Sequence, residues 1–261
     1  MIAIAGKRAW ITGASSGLGR ELALQMARDG WSVAVSARSA EKLDSLVAEA
    51  ESASGHIVAY PLDVSDLDAV GRTVQRIESE VGPIDQAVLN AGTHQPTPAH
   101  DFKAADFRKL VDLNLMGTIN CLEILIARFR TRQAGRIAVV ASVAGYTGLP
   151  QASAYGVTKA GMINLCEALR VELAPDNITV QVVNPGFVRT PLTDRNDFPM
   201  PFLMEVEAAA HALYRGLSRD SFEITFPRRF TWMVKLLRVL PYPLKFAVTA
   251  RMVRRGQEGS S

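Results

Sequence analysis

Short apolar runs alternate with helical patterns through the first 183 residues of this chain, and that alternation limits the fold more than any other feature. Lys7–Thr12, Trp31–Ala37, His56–Pro61, Gln86–Leu89, Arg136–Ala141 and Asn177–Val183 read as strands. Between them, Gly17–Asp29, Glu41–Ser52, Asp66–Glu80 (with Ser65 as N-cap), roughly Ala104–Thr131 and Ser153–Leu173 read as helices. A strand–helix–strand alternation builds right-handed crossovers and a parallel sheet covered on both faces. Ile137-Ala138-Val139-Val140 is continuously apolar, as strands buried on both faces are. The expected fold is α/β, a doubly wound, Rossmann-like parallel sheet. A length of 261 residues and 48% hydrophobic content suit a single domain, 1–261, with no linker or repeat. It divides into a nucleotide-binding and catalytic core, 1–190, and a substrate-pocket segment with C-terminal helices, 191–256.

The first strand runs into Thr12-Gly13-Ala14-Ser15-Ser16-Gly17-Leu18-Gly19 and then a helix. Glycines permit a tight turn and close approach of a ligand to backbone. The helix beyond presents unpaired N–H groups and a partial positive charge, which suit a pyrophosphate. Gly13, Ser15, Ser16, Gly17, Leu18 and Gly19 are therefore candidate cofactor-binding residues. An NAD site carries Asp or Glu about 20 residues past the glycines. Here that stretch reads Val35-Ser36-Ala37-Arg38-Ser39, without a carboxylate. The planar, permanently charged fork of Arg38 suits a 2′-phosphate, so NADP(H) is expected over NAD(H).

Tyr155 and Lys159 stand four apart in a helical stretch and share a face. A phenol with a pKa near 10 is a poor base at neutral pH, and a nearby ammonium lowers that value. Such a tyrosine can exchange a proton with an alcohol or carbonyl oxygen. Ser142 lies just past the fifth strand, where its hydroxyl can stabilise negative charge developing on that oxygen. Taken singly, each of these residues also fits a bland role: a surface Tyr/Lys pair, a helix-capping Ser142, a locally satisfied Asn114.

Thr12–Gly19, Asn90-Ala91-Gly92, Ser142, Tyr155-x-x-x-Lys159 and Pro185-Gly186 occur in the order and spacing of the short-chain dehydrogenase/reductase family, which the chain resembles over about residues 5–192. The resemblance implies an oxidoreductase acting between a nicotinamide and a CH–OH or C=O group. It makes Tyr155 the acid/base, Ser142 the oxygen stabiliser, Lys159 the anchor of the nicotinamide ribose, and Asn114 the anchor of a proton-relay water. It places Asp63 and Val64 beside the adenine and Asn90, Ala91 and Gly92 along the cofactor. Pro185 and Gly186 open the loop after the sixth strand, with Val188 and Thr190 at the carboxamide and pyrophosphate. It also implies a homo-oligomer, dimer or tetramer, joined through the helices near 104–131 and 153–173.

Cys121 and Cys166 read as reduced, buried packing residues. None of His56, His94, His100 and His211 stands at metal-ligand spacing; no metal is expected, and His94 and His100, in a Pro-bearing loop after Asn90-Ala91-Gly92, read as surface residues, with a place near the substrate as the alternative. Met1–Ala5 is too short and wrongly flanked for a signal peptide, and no uncharged apolar run reaches the roughly 18 residues of a membrane span. The expected location is cytoplasmic.

The tail is less determined. Pro191–Phe202 should be a mobile segment over the active site, Met204–Ser218 a helix and Phe222–Phe226 a last strand. Residues 1–223 carry a balance of −4, whereas 224–257 hold eight cations and no acid. Across Arg229–Leu240, Lys235 and Arg238 share one face, and Trp232, Met233, Leu236, Leu237 and Leu240 the other. Residues 241–243 read as a break before the helical Leu244–Arg255, whose charges are not cleanly segregated. That amphipathic stretch either packs on the core and covers the pocket or meets a membrane through 228–255, and both readings stay open. No nucleic-acid partner is expected, because the cations come without a recognised binding fold. The function expected is an NADP(H)-dependent carbonyl reductase or alcohol dehydrogenase of a small, rather hydrophobic molecule. The alternatives are a membrane-peripheral reductase of lipid-like substrates and a non-catalytic nucleotide-binding regulator.

Overall fold

Seven parallel strands form one sheet in the computed structural model, which describes residues 7–193 and 200–258, with side chains through 251. Their order is β3-β2-β1-β4-β5-β6-β7, where β1 is Arg8–Thr12, β2 Ser32–Ser36, β3 His56–Ala59, β4 Gln86–Leu89, β5 Gly135–Val140, β6 Ile178–Pro185 and β7 Glu223–Phe226. Val, Ile and Ala dominate the central strands because neither face meets water. Alternate residues feed different layers. Trp10 points into one core and Ala9 and Ile11 into the other.

One layer holds α1 (Gly17–Arg28), α2 (Ala40–Glu49) and α7 (Val206–Leu217), which bury Leu22, Met26, Leu43, Leu46 and Leu213. The opposite layer holds α3 (Leu67–Glu80), α5 (Gly117–Arg132), α6 (Ser153–Glu172) and α8 (Arg228–Val239). It buries Val74, Leu125, Phe129, Met162 and Val234. Cys121 and Cys166 are free, buried thiols in this layer. Strand order reverses between β1 and β4, so the loops after these two strands diverge and leave a crevice at the carboxyl ends.

Several boundaries differ from the sequence reading. Asp66, not Ser65, caps α3, its Oδ1 accepting from the Ala69 N–H at 2.9 Å. The Ser65 hydroxyl instead donates to Asp63 at 2.7 Å. The long helix over 104–131 is three pieces: α4 (Ala104–Leu110), a π-helical turn over Val111–Met116, and α5. Ala104–Arg132 is apolar and long enough to cross a membrane by composition, yet Leu110, Leu125 and Phe129 are fully buried in the protein. The last helix, α9 (Tyr242–Glu258), takes in Tyr242-Pro243, which the sequence reading left as a break. Proline is tolerated in a first turn, where its missing N–H has no partner to lose. Most of the apolar face expected on α8 does not pack on the core. Phe230, Val234 and Leu237 are buried, while Trp232, Met233 and Leu236 are exposed.

Candidate active site

β1 delivers the chain into the turn that begins at Gly13. Gly13 and Gly17 adopt φ of +67° and +58°, where a side chain would be strained. At Gly13 a Cβ would also lie 2.7 Å from the Ala91 Cα, so this turn presses against the loop after β4. The two loops are stitched together. Thr12 Oγ1 accepts from the backbone N–H groups of Asn90 and Ala91 at 3.0 and 3.1 Å, and Asn90 Nδ2 donates to the Gly13 carbonyl at 3.0 Å. The Asn90 side chain thus holds the glycine turn in place. Ser16 makes no side-chain cap on α1, and the first turn of that helix has no acid. The α1 N-terminus therefore presents donors and partial positive charge to an anion.

These residues floor a crevice of about 530 Å³. Gly13, Ser15, Ser16, Gly17, Leu18, Arg38, Asp63, Val64, Asn90, Ala91, Gly92, Ser142, Tyr155, Lys159, Pro185, Gly186, Val188 and Thr190 all line it. Gly19 and Asn114 do not. A Cβ on Gly19 would fall 2.6 Å from Asn90 Nδ2, so this glycine lets the turn and β4 loop meet rather than touching a ligand.

At one end of the crevice, Arg38 and Lys42 bring two cations, and Ser39 caps α2. Asp63 is the carboxylate there. Hydrogen bonds from the Ser65 hydroxyl and N–H, aided by Arg38, hold it below the usual carboxylate range. Lys42 was missed from sequence because only the formation of α2 turns it toward Arg38's side of the crevice.

At the other end stand Tyr155, Lys159 and Ser142. Lys159 is buried, with Nζ 5.4 Å from the Tyr155 ring centroid. Its ammonium donates to the Val140 carbonyl at 2.8 Å and reaches the Met162 sulfur at 3.6 Å. Ser142 Oγ accepts from the Ala144 N–H at 3.1 Å, and its hydroxyl is near enough to the Tyr155 phenol to favour its ionised form. Burial outweighs that influence and pushes Tyr155 up to about 12, and it pushes Lys159 down to about 7. The protein groups alone therefore shift the phenol opposite to the direction expected from a neighbouring ammonium. The physical reason is that Nζ addresses the Val140 carbonyl and the ring face, in surroundings that disfavour both charged forms.

Asn114 is fully buried in the π-helical turn. Its amide is committed locally: Oδ1 accepts from the Thr93 N–H at 2.8 Å, and Nδ2 donates to the Thr93 carbonyl at 2.9 Å and to Thr158 Oγ1 at 3.3 Å. It ties the loop after β4 to α6, within reach of Gly92 and Lys159.

His94 departs from its surface assignment. Its ring stands edge-on to Tyr155, 4.8 Å between centroids, and burial pushes its pKa down, favouring the neutral imidazole. Among the described residues its buried Nδ1 has no hydrogen-bond partner. A single histidine in a loop carries no periodic signal that could have placed it there. His100 is exposed, as expected. Beyond Pro185-Gly186, Phe187 packs 5.3 Å from Phe230 of α8, which in turn lies 6.2 Å from Phe202, an aromatic cluster that abuts Gly186 of the crevice lining. Of the segment expected to be mobile, Pro191–Thr193 lines the crevice, with Thr193 Oγ1 donating to the Val188 carbonyl at 2.7 Å. Residues 194–199 lie outside those described, as does the Met1–Ala5 stretch.

Comparison with known proteins agrees with this geometry. A family model described as short chain dehydrogenase matches residues 7–198. An uncharacterized oxidoreductase of Myxococcus xanthus is 36% identical over 248 residues, covering 95% of this chain and 98% of its own. A short-chain dehydrogenase from Sphingobium yanoikuyae in complex with NADPH superposes with a TM-score of 0.77 at 29% identity, over 87% of this chain and 91% of its own. An NAD+-bound xylitol dehydrogenase does so with a TM-score of 0.77 at 26% identity, over 85% and 98%. From its parallel sheet, its glycine turn and these matches, the chain belongs to the short-chain dehydrogenase family and is an oxidoreductase with a nicotinamide-type cofactor site.

Proposed function

We propose that the protein is an NADP(H)-dependent reductase of carbonyl groups on apolar molecules, or the reverse alcohol dehydrogenase, with Tyr155 as its acid/base. One observation carries this reading: Tyr155, Lys159 and Ser142 line the same crevice that Arg38, Lys42 and the α1 N-terminus occupy at its far end. When bound, the nicotinamide donates or accepts the hydride, and the chain's own groups position and polarise.

Those groups suit reduction. A phenol raised to about 12 keeps its proton at neutral pH and can deliver it from Oη to a substrate oxygen. Ser142, lining the crevice beside that phenol, is placed to donate to the same oxygen. Lys159, with a value near 7, is substantially charged at neutrality, and its charge favours the phenolate left behind. Arg38 and Lys42, against Asp63 as the one carboxylate lining the crevice among the described residues, support a 2′-phosphate over a bare ribose. Leu113 and Leu192, which line the crevice, support an apolar substrate.

The test is a screen of hydrophobic ketones and alcohols with both cofactors, followed by Tyr155→Phe. Turnover of an accepted ketone should fall by about 10²- to 10⁴-fold while NADPH affinity stays within about twofold. Unchanged turnover would remove Tyr155 from the chemistry. Arg38→Asp should weaken NADPH and shift preference toward NADH; no shift would overturn the cofactor assignment.

A further inference from the structure

Eight of the fourteen large apolar side chains exposed among the described residues fall within Trp232–Val248. On α8, Trp232 is 69% exposed, Leu236 62% and Val239 74%. On α9, Tyr242 and Phe246 stack on each other at 5.5 Å while Phe246 remains 60% exposed. Trp232, Leu236 and Val239 recur at helical spacing on one face of α8, and an exposed apolar face of this kind marks a binding surface rather than ordinary surface scatter. It is also set in positive charge. Arg228, Arg229, Arg238 and Arg251 are exposed without an ion pair among the described residues, and no acid occurs in 224–257. Lys235, on the same side of α8 as Arg238, pairs with Glu223 and fixes α8 to β7. Lys245 caps the Tyr242 ring at 5.0 Å.

We propose that α8 and α9 form a platform that seats the protein on an anionic lipid surface, with Trp232, Leu236, Val239 and Phe246 entering the interface. Charge chooses this occupant. A second copy of the chain docking through the same face in a two-fold contact would bring two arginine-bearing, acid-free surfaces together. A lipid surface instead offers anions to the arginines and hydrocarbon to the apolar side chains together. The buried side of α8 reaches the crevice, because Phe230 packs on Phe187 and a Cβ on Gly186 would lie 2.8 Å from it. Resting on the apolar-substrate reading above, the platform would deliver the substrate end of the crevice to molecules dissolved in the bilayer.

The test needs no substrate. The full chain is floated with phosphatidylcholine vesicles with and without phosphatidylglycerol, and tryptophan emission is recorded. Trp10 and Trp31 are buried, so a lipid-dependent blue shift reports Trp232. Co-flotation should be about tenfold greater with the anionic vesicles, weaken at high salt, and bring the blue shift. Leu236→Glu with Phe246→Glu should abolish flotation while melting with the parent. No flotation and no blue shift of the parent would overturn the proposal. So would a concentration-dependent dimer that the double variant dissociates. Because flotation is measured without turnover, its failure is distinct from failure of the enzymatic assignment.

Discussion

Lys159 carries an ionisable amine where water scarcely reaches, and its chemistry and its cost to the fold pull in opposite directions. A lysine whose folded pKa lies below its unfolded value binds fewer protons in the native state. The resulting penalty is full below the folded value of about 7 and fades as pH rises toward the unfolded value, about 10.4. Lys159→Met removes it. The Val140 carbonyl loses its partner, at a cost of about 1–3 kcal/mol, against several kcal/mol for desolvating an ion. Denaturant unfolding near pH 6 should show the variant more stable by about 1–3 kcal/mol, with the advantage shrinking as pH rises. Turnover should be lost. A destabilised variant at pH 6 would show that the hydrogen bond outweighs the burial. In the active protein the same titration should make ketone reduction fall as pH rises through about 7, because the charge that favours the phenolate disappears. A kcat/KM profile flat from about pH 6 to about pH 9 would show that the charge of Lys159 does not control the step.

The elements that hold these residues differ in how openly the sequence declares them. Strand–helix alternation and the Tyr-x-x-x-Lys spacing were legible because a parallel sheet repeats its pattern and a helix face has a fixed period. The π-helical turn at Val111–Met116 was not. It adds one residue to one turn, which an apolar pattern of Leu110, Leu113 and Leu115 absorbs without a visible break. Ser65 and Asp66 are both good caps, and only the carboxylate of Asp63 decides between them by taking Ser65. The orientation of α8 stays open in the sequence for a related reason. It is apolar on most of its circumference, so periodicity cannot say which side faces the sheet; the packing of Phe230 and Val234 does. The π-helical turn has its own test. Asn114→Ala removes the partners of the Thr93 N–H and carbonyl in a partly buried site and one donor to the Thr158 hydroxyl, which keeps its bond to the Tyr155 carbonyl. Equilibrium unfolding should report a loss of about 2–4 kcal/mol. A loss below about 0.5 kcal/mol would mean that the loop after β4 is held elsewhere.

At the scale of the whole molecule, the cofactor crevice crosses the centre of the sheet, so a ligand there touches both halves of the core at once. It bridges the loops after β1, β2, β3, β4, β5 and β6, drawing α2, α6 and the Pro185–Thr193 segment onto one body. Binding to the native state alone therefore stabilises the entire cooperative unit. At a free concentration about 100 times its Kd, a ligand adds about 2.7 kcal/mol. For a domain of about 150–250 residues each kcal/mol moves Tm by about 2–4 °C, giving an expected rise of about 5–10 °C. The cations at the adenosine end make the shift discriminating. NADPH should raise Tm more than NADH at equal concentration, and Arg38→Asp should narrow that difference while leaving the melting temperature of the protein alone unchanged, since Arg38 is exposed and outside the core. Differential scanning fluorimetry with both nucleotides measures all of this without a substrate. Equal shifts from the two nucleotides would show that Arg38 and Lys42 do not read a 2′-phosphate. A shift from neither would show that the crevice does not hold the dinucleotide at all, and that the glycine turn and the α1 N-terminus serve only to connect a strand to a helix.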